Sequence, residues 1–170
     1  RYGDDHVQHA RFRDLPRFLA PGDLLVVNTS ATLNAALPAE RADGSRAALH
    51  LSTRLPGGLW SVELRRVAGA TTAPCGDGAR GELLRLPGGA TATLLAPYRR
   101  DGGPARLWVA ELSLPGPLEW YLEDHGAPIR YSYVARPWPS IYYQTVFATE
   151  PGSAEMPSAG RAFTPELVTR

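Results

Sequence analysis

Two short segments in the second half of the chain contain the residue types from which a ligand site is built. Tyr143-Gln-Thr-Val-Phe-Ala148 supplies phenol, amide and hydroxyl groups, and Pro157-Ser-Ala-Gly-Arg-Ala-Phe-Thr164 supplies hydroxyls, small residues and a guanidinium. Small residues let a backbone come close to a bound molecule, and loops held on a rigid scaffold concentrate function. Tyr143, Gln144 and Thr145 are therefore candidates to line a site, with a strand of alternating burial as the packing alternative. Ser158, Ala159 and Gly160 form a small-residue turn before a capped helix, which either offers backbone N–H groups to a ligand or serves packing alone. Arg161, Phe163 and Thr164 complete this group. Arg161, like Arg130, reads either as a ligand for a carboxylate or phosphate or as a solvated charge. Asn28 and Ser30 follow the apolar run Leu24-Leu-Val-Val27, where open α/β sheets bind ligands, although Asn also ends strands routinely.

The other chemistry-bearing residues are less directive. His6, His9, His50 and His125 lack metal-ligand spacing and read as exposed or helix-end histidines, so no metal site is expected. Glu150 and Glu155 stand where a general base would serve, and the catalytic residues stay unassigned. All 18 basic residues are Arg, so neither a Schiff-base lysine nor a phosphate-loop lysine is available. Cys75 is the single cysteine, which excludes an intrachain disulfide or a zinc cluster and points to a reducing cytoplasm. A net charge of +1 with 44% hydrophobic residues lacks the basic excess of a dedicated nucleic-acid binder. Arg11, Arg13 and Arg17, and likewise Arg99 and Arg100, have Asp14 and Asp101 nearby and read as solvated faces. No apolar run approaches the ~18 residues of a membrane span. The only Met is Met156, and the text stops where a helix capped by Thr164 with Pro165 in its first turn begins, which reads as part of a longer chain.

These residues need elements to position them. His9-Ala-Arg-Phe12 reads as a short strand and Asp14 to Leu19 as a short helix with Pro16 in its first turn. Leu24 to Asn28, continuously apolar and bounded by turn residues, reads as a strand buried on both faces, the kind found in α/β layers. From Ala47 the pattern changes to short alternating segments, Ala47–Leu55, Leu59–Arg66, Gly81–Leu86, Ala90–Leu95 and Ala105–Leu112. Pro56-Gly-Gly58, Gly76-Asp-Gly78, Pro87-Gly-Gly89 and Asp101-Gly-Gly103 separate them at hairpin spacing, with Trp60 and Trp108 as core. Residues 40–114 are thus expected to form an inserted antiparallel β-barrel or sandwich. Residues 1–39 are read as the first part of an α/β domain, 115–133 as a closing helix and return linker, and 134–170 as that domain resumed. The closing helix is Leu118 to His125, with Leu118, Tyr121 and Leu122 on one face and Gly126 at its end.

In order along the chain, the motifs resemble the S-adenosylmethionine:tRNA ribosyltransferase-isomerase family of queuosine synthesis. Phe12-Arg-Asp-Leu15 with Leu19-Ala-Pro-Gly-Asp-Leu-Leu-Val-Val-Asn28 is similar to its FxDLxxxLxPGDLLVxN, and Gly126 to Pro137 occupies the place of GxxPLPPYIxRP. Tyr143 to Ala148 is similar to YQTVYA, and Pro157-Ser-Ala-Gly160 with Phe163 to PTAGLHF. The resemblance implies a partial α/β barrel-like catalytic domain with an inserted β-barrel, making this stretch predominantly β. It also implies S-adenosylmethionine as co-substrate without a metal and tRNA as partner, and the chain is expected to be a cytoplasmic monomer. The implied reaction moves and isomerises the ribosyl part of S-adenosylmethionine onto a 7-aminomethyl-7-deazaguanine base, releasing adenine and methionine. Aromatic faces of Tyr142, Tyr143, Phe147 and Phe163 would then stand near the sulfonium, each interaction stabilising it by about 0.5–2 kcal/mol. The chain departs from the family where Ala31 and Ala36 replace two arginines, where Arg130-Tyr-Ser-Tyr133 replaces LPPY and where Ala162 replaces His. A paralogue using another acceptor, or a non-catalytic RNA- or protein-binding relative, stands beside the family reading.

Overall fold

Period-two alternation on curved strands closes a sheet when the last strand finds the first, and the computed structural model shows this closure. The structure describes residues 7–69, 71–98, 105–131, 133, 134 and 136–170. A short parallel strand β1 (Ser30–Thr32) precedes the barrel, which is made of β2 (Ala36–Glu40), β3 (Arg46–Arg54), β4 (Trp60–Ala68), β6 (Leu83–Arg85), β7 (Thr91–Pro97) and β8 (Leu107–Ser113). The order β3-β2-β6-β7-β8-β4 returns to β3 through antiparallel β3–β4 pairing, so six strands close. A further strand, β5 (Thr71–Pro74), hangs on β4. The bounds follow the alternating segments read from the sequence, and the sheet also takes in Ala36–Glu40, ahead of residue 40, and β5, neither of which the sequence reading picked out.

Inward positions are filled by Leu37, Leu49, Leu51, Val62, Leu64, Leu84 and Leu94, which are essentially inaccessible. Trp60 and Trp108 join this core, as expected. Register shifts at Leu51/Thr53 and Leu94/Ala96 bend β3 and β7, as closure requires. The narrowest seam is β2–β6, where Glu40↔Arg85 is the one backbone pair. Side chains reinforce it: Arg85 meets Glu40 at 3.0 Å, and Arg41 meets Glu82 at 2.6 Å and Asp77 at 2.9 Å. The Arg41 guanidinium is held charged by these partners, Glu82 foremost. Cys75 donates to Asp77, and burial pushes its thiol up, so it serves packing.

Helix α1 (Leu118–His125) lies where the sequence put it. Tyr121 and Leu122 are its buried face, and the Tyr121 hydroxyl donates to Pro87 O at 2.9 Å, sealing one end of the barrel. Gly126 follows because the chain passes very close to Asn34, whose carbonyl oxygen would lie 2.1 Å from any added Cβ. Reciprocal 2.9 Å bonds between Ala36 and Ala127 fasten this return to the barrel entrance.

The flanking segments differ from expectation. His9–Phe12 forms no strand. Instead a 3-10 helix spans Phe12–Phe18, with Asp14 accepting from the Arg11 N–H at 3.2 Å. Leu24–Asn28 makes no ladder, and Leu24 and Val26 are 88% and 83% exposed. A strand buried on both faces needs neighbours on both sides, and none among the described residues supplies them. The resumed chain contributes β9 (Glu150–Ser153), parallel to β1, and α2 (Pro165–Val168), whose N-cap is Thr164 as expected. His6, Arg99, Arg100 and the Asp101-Gly-Gly103 turn lie outside the described residues.

Candidate functional site

The N-terminal and C-terminal flanks meet at β1 and β9. Thr29 O accepts from the N–H groups of Thr149 (3.0 Å) and Glu150 (3.2 Å), and β1 pairs Ser30 with Glu150. Gln144 extends this join by imitating a strand: its Oε1 accepts from Thr32 N–H at 2.8 Å and its Nε2 donates to Thr32 O at 2.9 Å. The Thr32 hydroxyl donates to Tyr143 O at 2.7 Å. Tyr143, Gln144 and Thr145 therefore do not form an alternating strand. Ser140–Tyr143 is a 3-10 turn, and Gln144 and Thr145 follow as irregular chain.

The two motifs touch at Thr145 and Gly160, where an added Cβ would stand 3.0 Å from Thr145 Cγ2. Beside this contact lies a cleft of about 280 Å³ lined by Val26, Asn28, Phe147, the turn Ser158-Ala-Gly160 and Phe163. Phe163 sits edge-on to Phe12 (4.8 Å) and Phe147 (5.0 Å), so one wall is aromatic. Asn28 Oδ1 accepts from Ser30 N–H at 2.8 Å, fixing the turn that leads into β1. The structure thus brings Asn28, Ser158, Ala159, Gly160 and Phe163 together, with Thr145 behind them. Ser30 lies in β1, Arg161 is exposed on the turn, and Thr164 accepts from Leu167 N–H at 3.3 Å as a helix cap. Tyr143 faces a different cleft, about 400 Å³, with Arg130, Trp138 and the outer wall of β2 and β3. Tyr142 is 58% exposed and tilted against Trp138 at 5.1 Å, with Arg136 4.1 Å over the indole.

A further cleft, about 410 Å³, was not read from the sequence. With Leu49, Leu51, Val62 and Leu64 facing inward, strand alternation turns His50, Glu63 and Arg65 outward, and His50 pairs across from Glu63. Residues 129–131 and 154–155 cover this wall. His50 is consequently 7% exposed, not an exposed or helix-end histidine as its sequence context suggested. Burial, then the Arg65 charge, push its imidazole down to about 4 against the opposing pull of Glu63 and Glu155. Glu63 binds Arg65 at 2.8 Å and Arg106 at 3.0 Å, and Tyr131 donates to Glu155 at 2.7 Å. That bond and burial push the Tyr131 phenol up to about 12. The available signal was the outward alternation of charged residues on β3 and β4, which a reading focused on the apolar face passes over. His125 ends α1 as expected, and His9 is exposed. Among the described residues no group of three or more His, Cys, Asp or Glu is placed to hold a metal. No helix there is long and apolar enough to cross a membrane.

Fold and site together define a mainly β chain in which a closed barrel is set between two flanks that meet in a parallel strand pair beside a motif-lined cleft. All of it, residues 1–170, matches the family model described as queuosine biosynthesis protein, and the chain belongs to that family. Its similar relatives are named S-adenosylmethionine:tRNA ribosyltransferase-isomerase. One from Thermus thermophilus is 34% identical over 100% of this chain and 47% of its own. One from Moorella thermoacetica is 37% identical over 95% and 45%, and one from Pelobacter propionicus 33% over 96% and 46%. The chain spans about half the length of these curated relatives. No solved structure matches it.

Proposed function

We propose that the protein acts as an S-adenosylmethionine-dependent ribosyltransferase-isomerase. It transfers and isomerises the ribosyl part of S-adenosylmethionine onto a 7-aminomethyl-7-deazaguanine base of tRNA, with release of adenine and methionine. The observation that supports this best is the convergence of the separately matched motifs on one cleft, with Asn28, Phe147, Ser158 to Gly160 and Phe163 on its walls. A sulfonium acidifies the adjacent carbon and makes a thioether a good leaving group, so the protein must accept a proton, hold a cation and exclude water. The faces of Phe147 and Phe163 supply the cation contact, and the small-residue turn lets backbone approach the ligand. In this reading residues 1–39 and 134–170 belong to one α/β catalytic domain, 40–114 are its barrel insert, 115–133 lead back to it, and the enzyme is a cytoplasmic monomer.

Full-length protein incubated with S-adenosylmethionine, with and without tRNA bearing the 7-aminomethyl base, decides the matter when adenine is followed by chromatography. Adenine that appears only with that tRNA is the expected result. Adenine released without tRNA moves the acceptor elsewhere, and no adenine under either condition overturns the enzymatic reading.

A further inference from the structure

We infer that the cleft over the outer wall of β3 and β4 is a subsite for a zwitterionic α-amino-acid head, formed by His50, Arg106, Arg130, Tyr131 and Glu155. This rests on the adenosylmethionine reading above and gives the methionine end of that molecule a seat. His50 is the starting point. It is more than nine-tenths buried and lines the cleft, and among the described residues nothing hydrogen-bonds its imidazole. Among the described residues Trp108 Nε1 is the one sealed side-chain nitrogen or oxygen without a partner, so the unpartnered His50 nitrogens open on the cleft of about 410 Å³, where a ligand group can meet them. Its neutrality matters too, because a neutral imidazole accepts a hydrogen bond from an ammonium without repelling it.

The charges around it are of both signs, and this selects the ligand class. A lone phosphate would meet the carboxylates of Glu63 and Glu155, while a lone amine would meet the guanidiniums of Arg65, Arg106 and Arg130. An ammonium and a carboxylate one carbon apart satisfy both. Arg65 is tied down by Glu63 and Thr72, so it is a wall and not a recognition group. Arg106 is bound to Glu63 by one 3.0 Å contact with a side chain 65% exposed, which leaves most of its five donors for a carboxylate. Glu155 is exposed, lines the same cleft and is fixed by the Tyr131 hydroxyl, and its carboxylate can receive the ammonium. The position also suits a long ligand. Ala154 and Glu155 line this cleft, while Pro157 and Ser158, just along the same segment, line the motif cleft proposed for the nucleoside.

The test compares two adenosine thioethers, S-adenosylhomocysteine and 5′-methylthioadenosine, of which only the first carries the amino-acid head and the methylene that joins it, by calorimetric titration of the full-length protein. The variants are Glu155→Gln and Arg106→Ala, both at exposed positions where folding is safe, with His50→Gln as a third. Each is expected to weaken S-adenosylhomocysteine about five- to tenfold, the effect of losing one charge-assisted hydrogen bond at a partly solvated site, and to leave methylthioadenosine unchanged. Equal weakening of both ligands, or of neither, overturns the subsite. No binding of either thioether or of S-adenosylmethionine to the unaltered protein overturns both the subsite and the adenosylmethionine reading. Selective weakening without any tRNA-dependent adenine release keeps the subsite and removes the tRNA reading alone.

Discussion

The barrel and its flanks are built from equally apolar text and end in opposite states. Between Ala36 and Ser113 the buried leucines pack inside a sheet that closes on itself, with Tyr121 and Leu122 of α1 completing the core at one end. The flanks contain runs as apolar as any barrel strand, yet Leu24, Val26, Ile141 and Val168 are exposed. Their order comes from hydrogen bonds, namely the β1–β9 pair, the Gln144 bridge to Thr32 and the cap at Thr164. The difference teaches that burial is decided by topology. An apolar segment is a core strand when its neighbours on both faces exist, and an exposed one when they do not.

The largest expected effect tests that contrast directly. Leu64→Ala removes a fully buried side chain from β4 and should cost about 2–5 kcal/mol in urea unfolding. The same truncation at Leu24 should change stability by less than about 0.5 kcal/mol. A Leu24→Ala cost near that of Leu64→Ala would break the comparison, since it would mean the flank packs as a core.

The next effect lies where barrel and flank meet. Since the His50 imidazole is pushed down from 6.5 to about 4 in the folded chain, the unfolded state binds the proton first as pH falls. The neutral ring's contribution is full above pH 6.5 and disappears as pH drops towards 4, amounting to about 3 kcal/mol. Urea midpoints measured from pH 8 to 4 should therefore fall more steeply for the unaltered protein than for His50→Leu. Parallel curves would show that the return segment leaves His50 in water.

The smallest effect sharpens the account of the flanks. Gln144→Ala deletes both bonds to the Thr32 backbone and should loosen the join by about 1–3 kcal/mol. Hydrogen exchange should speed up at the Thr32 amide and stay unchanged at Leu49 and Val62 in the barrel. Acceleration at both would show that barrel and flanks open as one unit.

Much of this was legible without coordinates. Alternation and Pro-Gly-Gly turns marked the barrel strands from Ala47 onward, since period two and turn chemistry are local. Thr164 with Pro165, and Gly126 after His125, marked helix ends for the same reason. The strand Ala36–Glu40 was hidden by its length and by Pro38, which faces outward and so does not disturb the core. Leu24–Asn28 pairs with no strand among the described residues, and an apolar run reports what a segment would bury without reporting what is present to cover it.

The sequence by itself determined the alternating barrel strands, the helix caps and the two motifs that tie the chain to its family, all of which depend on residues within a few positions of one another. Tertiary structure alone decided which motif residues share a cleft. Gln144 became a backbone bridge and Thr145 the seat of Gly160, while Asn28, Phe147 and Phe163 came together from opposite ends of the chain. It also decided that His50, an outward residue on a barrel strand, is buried, because that burial is imposed by residues 129–131 and 154–155, which are about 80 and 100 positions away along the chain.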